Sequence, residues 1–141
     1  MVKPDQAAGR PALSVRIFLL FCALGLVPIA LGYGAAPAIT MERVFGIAVE
    51  ETNLTHIFRA VMGLYLGMAF LWLLGAFSST LSRPALISCA VFMLGLAFGR
   101  VLSFALDGLP HWLLVFYAGL ELLLGTLALG LLRQHSVSHD D

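Results

Sequence analysis

Three ionisable residues stand in stretches that are otherwise apolar: Arg59, Arg100 and Glu121. A charge inside hydrocarbon is costly unless it is paired, hydrogen-bonded or wetted, so each of them requires a reason. Spacing ties them to other polar residues. His56, Arg59 and Gly63 follow an i, i+3, i+7 line, as do Arg100, Ser103 and Asp107, while Tyr117, Glu121 and Gly125 follow i, i+4, i+8. On a helix each of these lines is one face, and three polar faces in lipid are best placed by pointing at one another. The nearest match in depth makes Arg100 with Glu121 the first pair to expect.

Three chemistries suit such a constellation. Two arginines against Glu121 and Asp107 sum to zero, as a structural network of ion pairs and hydrogen bonds would. The same groups could line a pocket for a lipid headgroup, a quinone or another amphiphile. Glu121 with His56 or His111 could also serve as acid and base of an intramembrane enzyme. Glu121 should stay ionised if Arg100 or Arg59 contacts it, and be neutral if both arginines instead face an external anion; the residues alone leave all three readings open.

The elements that must position these groups follow from composition. Of 141 residues, 60% are hydrophobic and 11% charged, against about 25% charged in a soluble domain. Eight Lys and Arg balance eight Asp and Glu, which gives no electrostatic case for nucleic acid. Four apolar runs, at about 15–34, 54–77, 84–106 and 110–132, reach the roughly 20 residues needed to cross a bilayer. None alternates as a β-barrel strand would. The prediction is an all-α, four-helix transmembrane bundle, antiparallel and up-and-down, in one membrane domain with tails at 1–13 and 134–141. At ~1.5 Å per residue from the outer end of each run, Arg59 lies ~7 Å down, Arg100 ~9 Å and Glu121 ~15 Å. Tyr65 matches the depth of Glu121 and Tyr117 that of Arg100, while His56, Asp107 and His111 sit near the outer rim.

Lys3, Arg10, Arg16, Arg83 and Arg133 fall on one side of these spans and Arg43 alone on the other, so both termini are expected in the cytoplasm. Lys3 and Arg10 before an apolar run, with Ala36-Pro37-Ala38 after it, also fit a cleaved signal peptide. The run of about 18 residues exceeds the usual 7–15 of a signal core, which argues for a retained span. In the loop 35–53, Pro37 suits the first turn of a short interfacial helix, with Ile39, Val44 and Phe45 on one side and Glu42 and Arg43 on the other.

Gly63 with Gly67, and Gly95 with Gly99, are four apart, and small residues at that interval let helices approach closely in lipid. Pro28 should kink the first helix. Asp107-Gly108-Leu109-Pro110 is turn chemistry, with Gly108 in a left-handed conformation and Pro110 opening the fourth helix. Trp72 and Trp112 suit interfacial belts, and Cys22 and Cys89 suit small core positions. No close His/Cys spacing supports a metal site, and no phosphate loop, HExxH or Gly-x-Ser-x-Gly is present, so no cofactor is named. His135 and His139 look like solvated ends. The expected partners are membrane lipids, with a hydrophobic small molecule or a membrane protein as further candidates.

The runs HIFRAVMGLYLG (56–67), GRVLSFALDGLP (99–110) and YAGLELLLG (117–125) resemble a family of small bacterial four-helix membrane proteins catalogued as a domain of unknown function. The resemblance extends from about Leu13 to Arg133 and rests on Arg59, Arg100, Asp107-Gly-x-Pro and Glu121 in combination. It implies a four-helix bundle in the inner membrane, similar to DoxX-like bundles, and implies no activity. A small binding or accessory membrane protein is the reading carried forward, with an intramembrane enzyme on a lipid-like or quinone-like substrate as the alternative.

Overall fold

The structure, a computed structural model, describes residues 10–137, with side chains as far as Gln134. Five helices follow in order: α1 (Leu13–Gly34), α2 (Pro37–Phe45), α3 (Thr52–Phe77), α4 (Ser79–Leu106) and α5 (Trp112–Val137). Among the described residues there is no strand. All but α2 are long and apolar enough to cross a membrane. The shortest of the four, α1 at 22 residues, is ~33 Å long against ~30 Å of hydrocarbon.

These helices are apolar all round. Along α1, Leu19 and Ala23 are fully buried, yet the neighbouring Ile17, Phe21 and Leu24 stand 58–65% exposed. Comparable large side chains face outward on the others, including Phe70 on α3, Phe98 on α4 and Phe116 on α5. A surface of this kind is stable in lipid, where the exposed apolar atoms lose nothing, and it would aggregate in water.

Helix ends differ from the sequence reading at two places. The helix expected to open at Pro84 already begins at Ser79, leaving Ser78 as the whole connection from α3. Proline removes one N–H, opposite the Thr80 carbonyl, and the helix tolerates that loss near its start. Pro110 does not open α5, which begins at Trp112. Gly108 does take the left-handed conformation, at φ 92°.

The chain forms two compact units. In the unit Phe21–Leu71, the end of α1 packs against the start of α3. Tyr33 stacks on Phe58 at 6.0 Å and meets the edge of Tyr65 at 5.8 Å. Next to it, a Cβ on Gly34 would stand 2.5 Å from Met62 Cβ. The short α2 opens on Pro37 as expected and closes on Gly46, at φ 68°, whose N–H bonds the Glu42 carbonyl. Its buried residues are Pro37 and Met41, one turn apart, whereas Ile39 is 53% exposed. Val44 is 38% exposed as well, so the apolar side expected of this helix is not the side it buries.

The other unit joins the chain up to Leu20 with everything from Trp72 onward. Here α3 ends against α4: Gly75 packs on Ala85, and a Cβ there would also stand 3.1 Å from the Leu81 carbonyl oxygen and 3.3 Å from Leu19. One turn earlier, Trp72 is fully buried; its Nε1 donates to Ser88 Oγ at 3.0 Å and its ring meets Phe92 edge-on at 5.6 Å. Trp72 is thus a core residue, and the interfacial position expected for it is corrected, because Ser88 supplies the polar partner that headgroups would otherwise offer. Arg16 lies 4.9 Å over the Phe77 ring. Cys22 and Cys89 are buried thiols, each within its own unit.

The glycines that allow close packing are not the paired ones. Around Gly63, Gly67, Gly95 and Gly99 no described atom beyond the adjacent residues and the helix's own nearby backbone lies within 4 Å of a built Cβ, whereas Gly34, Gly75 and Gly125 are in contact. Spacing marks a face but does not say whether that face meets a helix or lipid. Gly75→Ala should therefore overpack a site bounded by backbone and cost about 1–3 kcal/mol, read as a lower unfolding midpoint in detergent. Gly95→Ala, with open space above it, should leave that midpoint unchanged or raised.

Candidate functional site

Between α4 and α5 the sequence places two charges that lipid would reject separately. Arg100 lies six residues before the end of α4 and Glu121 nine residues after the start of α5, ~9 and ~13 Å along their helices. The two helices run antiparallel: Leu94 meets Gly125, and further along α4 Arg100 meets Glu121, earlier on α5. Gly125 sets the approach, since a Cβ there would come within 2.6 Å of Leu94 Cγ. That closeness brings the guanidinium and the carboxylate together one turn away.

The contact is bidentate. Arg100 Nε donates to Glu121 Oε2 at 2.8 Å, and Nη2 donates to Oε1 at 3.0 Å. This fork-to-fork geometry matches a planar guanidinium to a carboxylate and is among the stronger charge-assisted arrangements. The Arg100 and Glu121 side chains are 18% and 11% exposed, so the pair is largely withdrawn from its surroundings. The Arg100 guanidinium carbon also lies 5.8 Å from the centre of the Tyr117 ring, within cation–π range. The face Tyr117–Glu121–Gly125 thus turns toward α4 as a unit.

The other polar residues expected here are placed differently. Ser103 Oγ donates to Asp107 Oδ2 at 2.8 Å, and the Asp107 N–H bonds the Ser103 carbonyl at 2.8 Å. Both side chains are exposed, so they close the end of α4 and do not extend the Arg100–Glu121 pair. His111, also exposed, accepts the Leu113 N–H on Nδ1 at 3.4 Å at the start of α5. Local backbone groups left open at a helix end compete for such side chains and win when the residue stands within one turn of it.

Tyr65, His56 and Arg59 belong to the unit Phe21–Leu71. Tyr65 is buried against Tyr33, while His56 and Arg59 are exposed on α3. Sequence reasoning passed over Tyr33, whose only signal was an aromatic ring near the end of a span. It also passed over Ser88, which reads as an unremarkable small residue until Trp72 is placed beside it. Among the described residues no group of three or more His, Cys, Asp or Glu is arranged to hold a metal.

A chain of apolar helices, four of them long enough to cross a bilayer and two locked by a guanidinium–carboxylate pair, defines a small helical membrane protein. It belongs to the family described as a domain of unknown function, DUF4345, whose model matches residues 14–132. No curated protein and no solved structure matches the chain.

If the pair locks α4 to α5, its two members are energetically coupled. A double-mutant cycle with Arg100→Ala, Glu121→Ala and both together should return a coupling of about 1–2 kcal/mol in unfolding assays in detergent or bicelles. Additive losses would show that the two side chains do not support each other.

Proposed function

We propose that this is a small, non-catalytic, multi-pass protein of the bacterial inner membrane with both termini in the cytoplasm. It acts by binding a hydrophobic small molecule or a membrane protein partner, and the Arg100–Glu121 pair is the lock that keeps α4 on α5 while it does so. The observation that carries this reading is the bidentate contact, in which both carboxylate oxygens accept from one guanidinium. A carboxylate held at both oxygens is poorly placed to take or give a proton in a reaction, which weighs against Glu121 as the acid or base of an enzyme. Likeness to DoxX-like bundles is an analogy of fold and lends no activity.

Orientation rests on the excess of Lys and Arg at Lys3, Arg10, Arg16, Arg83 and Arg133 over Arg43. A reporter active only in the periplasm should stay silent when fused after Arg133 and become active when inserted between α2 and α3. The reverse pattern would invert the topology.

The role of the pair is tested by native mass spectrometry and thermal melting of the full chain extracted from its own membranes, beside Glu121→Gln. The variant should melt lower and carry the same bound molecules as the wild type. A variant that melts like the wild type but has lost a bound molecule would make the pair a binding site, and the lock reading would fall.

A further inference from the structure

With Glu121 committed to Arg100, Arg59 remains as a charge inside a span with no anion of its own. It stands seven residues into α3, ~10 Å from the start of that helix. It is exposed, and among the described residues it makes no hydrogen bond or ion pair. An arginine at that depth carries a long apolar stem that lets the guanidinium rise toward the headgroups, where its fork fits a phosphate with two parallel N–H donors.

The surface below Arg59 has a definite relief. Ala60, Gly63 and Gly67 are exposed on the same face of α3, and space is open above both glycines. Along one side of this strip stand Ile57 and Leu64, 58% and 59% exposed, and Phe70, 62% exposed, closes its far end. From Arg59 to Phe70 is eleven residues, or ~16 Å of helix. Starting ~7–10 Å below the outer end of the span, that strip runs past the middle of the ~30 Å hydrocarbon core. A cation whose apolar stem reaches toward the headgroups above an apolar trough matches one kind of molecule by charge.

We propose that Arg59 holds the phosphate of a bilayer phospholipid, one acyl chain of which lies in the trough over Ala60, Gly63 and Gly67. His56, exposed one turn nearer the start of the helix on the same face, stands beside the headgroup. The small residues that pack against no described helix atom are here the floor of a lipid site. The site lies in the unit Phe21–Leu71, apart from Arg100 and Glu121, so the behaviour of Glu121→Gln does not decide it.

The test is phospholipid retention by the full-length protein. Wild type, Arg59→Gln, Arg59→Lys and Gly67→Leu are purified, delipidated in mild detergent, titrated with phosphatidylglycerol and read by native mass spectrometry, with melting curves as the folding control. Wild type should retain one tightly held phosphatidylglycerol, Arg59→Gln should weaken its binding at least tenfold, and Arg59→Lys should weaken it less. Gly67→Leu, which fills the trough and keeps the charge, should also weaken it, and this arm stands even where Arg59→Gln fails to fold. Equal retention by wild type and Gly67→Leu, together with equal retention by any folded Arg59 variant, would overturn the proposal. So would displacement of the lipid's effect by millimolar inorganic phosphate alone, which would make the ligand a free anion. A wild-type dimer that Arg59→Gln dissolves would overturn it too, by showing a second copy on this face.

Discussion

Hydrocarbon cannot solvate a charge, and the arrangement of α4 and α5 follows from how this chain meets that constraint. Arg100 and Glu121 satisfy each other through two hydrogen bonds of 2.8 and 3.0 Å. To do so they fix the rotation of both helices, because each side chain must leave its helix toward the other. Gly125 then has to face Leu94, and Tyr117 has to face the guanidinium. One ion pair thereby determines the register of two helices that apolar packing alone would leave free to slide, since lipid tails compete with Leu and Phe on equal terms.

Elsewhere the same problem is met on a smaller scale. Trp72 buries its ring completely because Ser88 accepts its N–H, and Ser88 in turn donates to the Ala85 carbonyl at 2.8 Å. Ser82, also fully buried, donates to the Ser79 carbonyl at 2.8 Å. No buried side-chain nitrogen or oxygen among the described residues lacks a partner. Each polar atom that enters the interior has a neighbour, which is what a medium without water demands. The exposed face is left to apolar side chains, with Thr126 folded back on the Leu122 and Leu123 carbonyls.

Much of this was legible in the sequence. The four long helices announced themselves by length and apolarity, and the Arg100–Glu121 pair by the cost of either charge alone. Pro37 and Gly108 were legible because proline and glycine restrict the backbone directly. What could not be read is which way a face turns. Gly63, Gly67, Gly95 and Gly99 have the spacing of packing residues, and Gly34, Gly75 and Gly125 have no distinctive spacing, yet only the latter three meet other side chains. In an apolar chain the lipid face and the core face share one alphabet, so periodicity loses the contrast it has in water. The sequence groups Ser103, Asp107 and His111 with the polar pair, because the competing claims of helix ends are set by backbone geometry that begins only where the helix stops.

The central claim is that Arg100 and Glu121 neutralise each other across α4 and α5, and exchanging the charges tests it most directly. Arg100→Glu, Glu121→Arg and the double exchange would be expressed in native membranes and compared for folded yield and resistance to protease. Each single reversal puts like charges face to face and should abolish folded protein, while the double exchange, which restores an opposite pair across the same helices, should recover a substantial part of it. Single reversals that accumulate like wild type, or a double exchange no better than either single, would contradict the account.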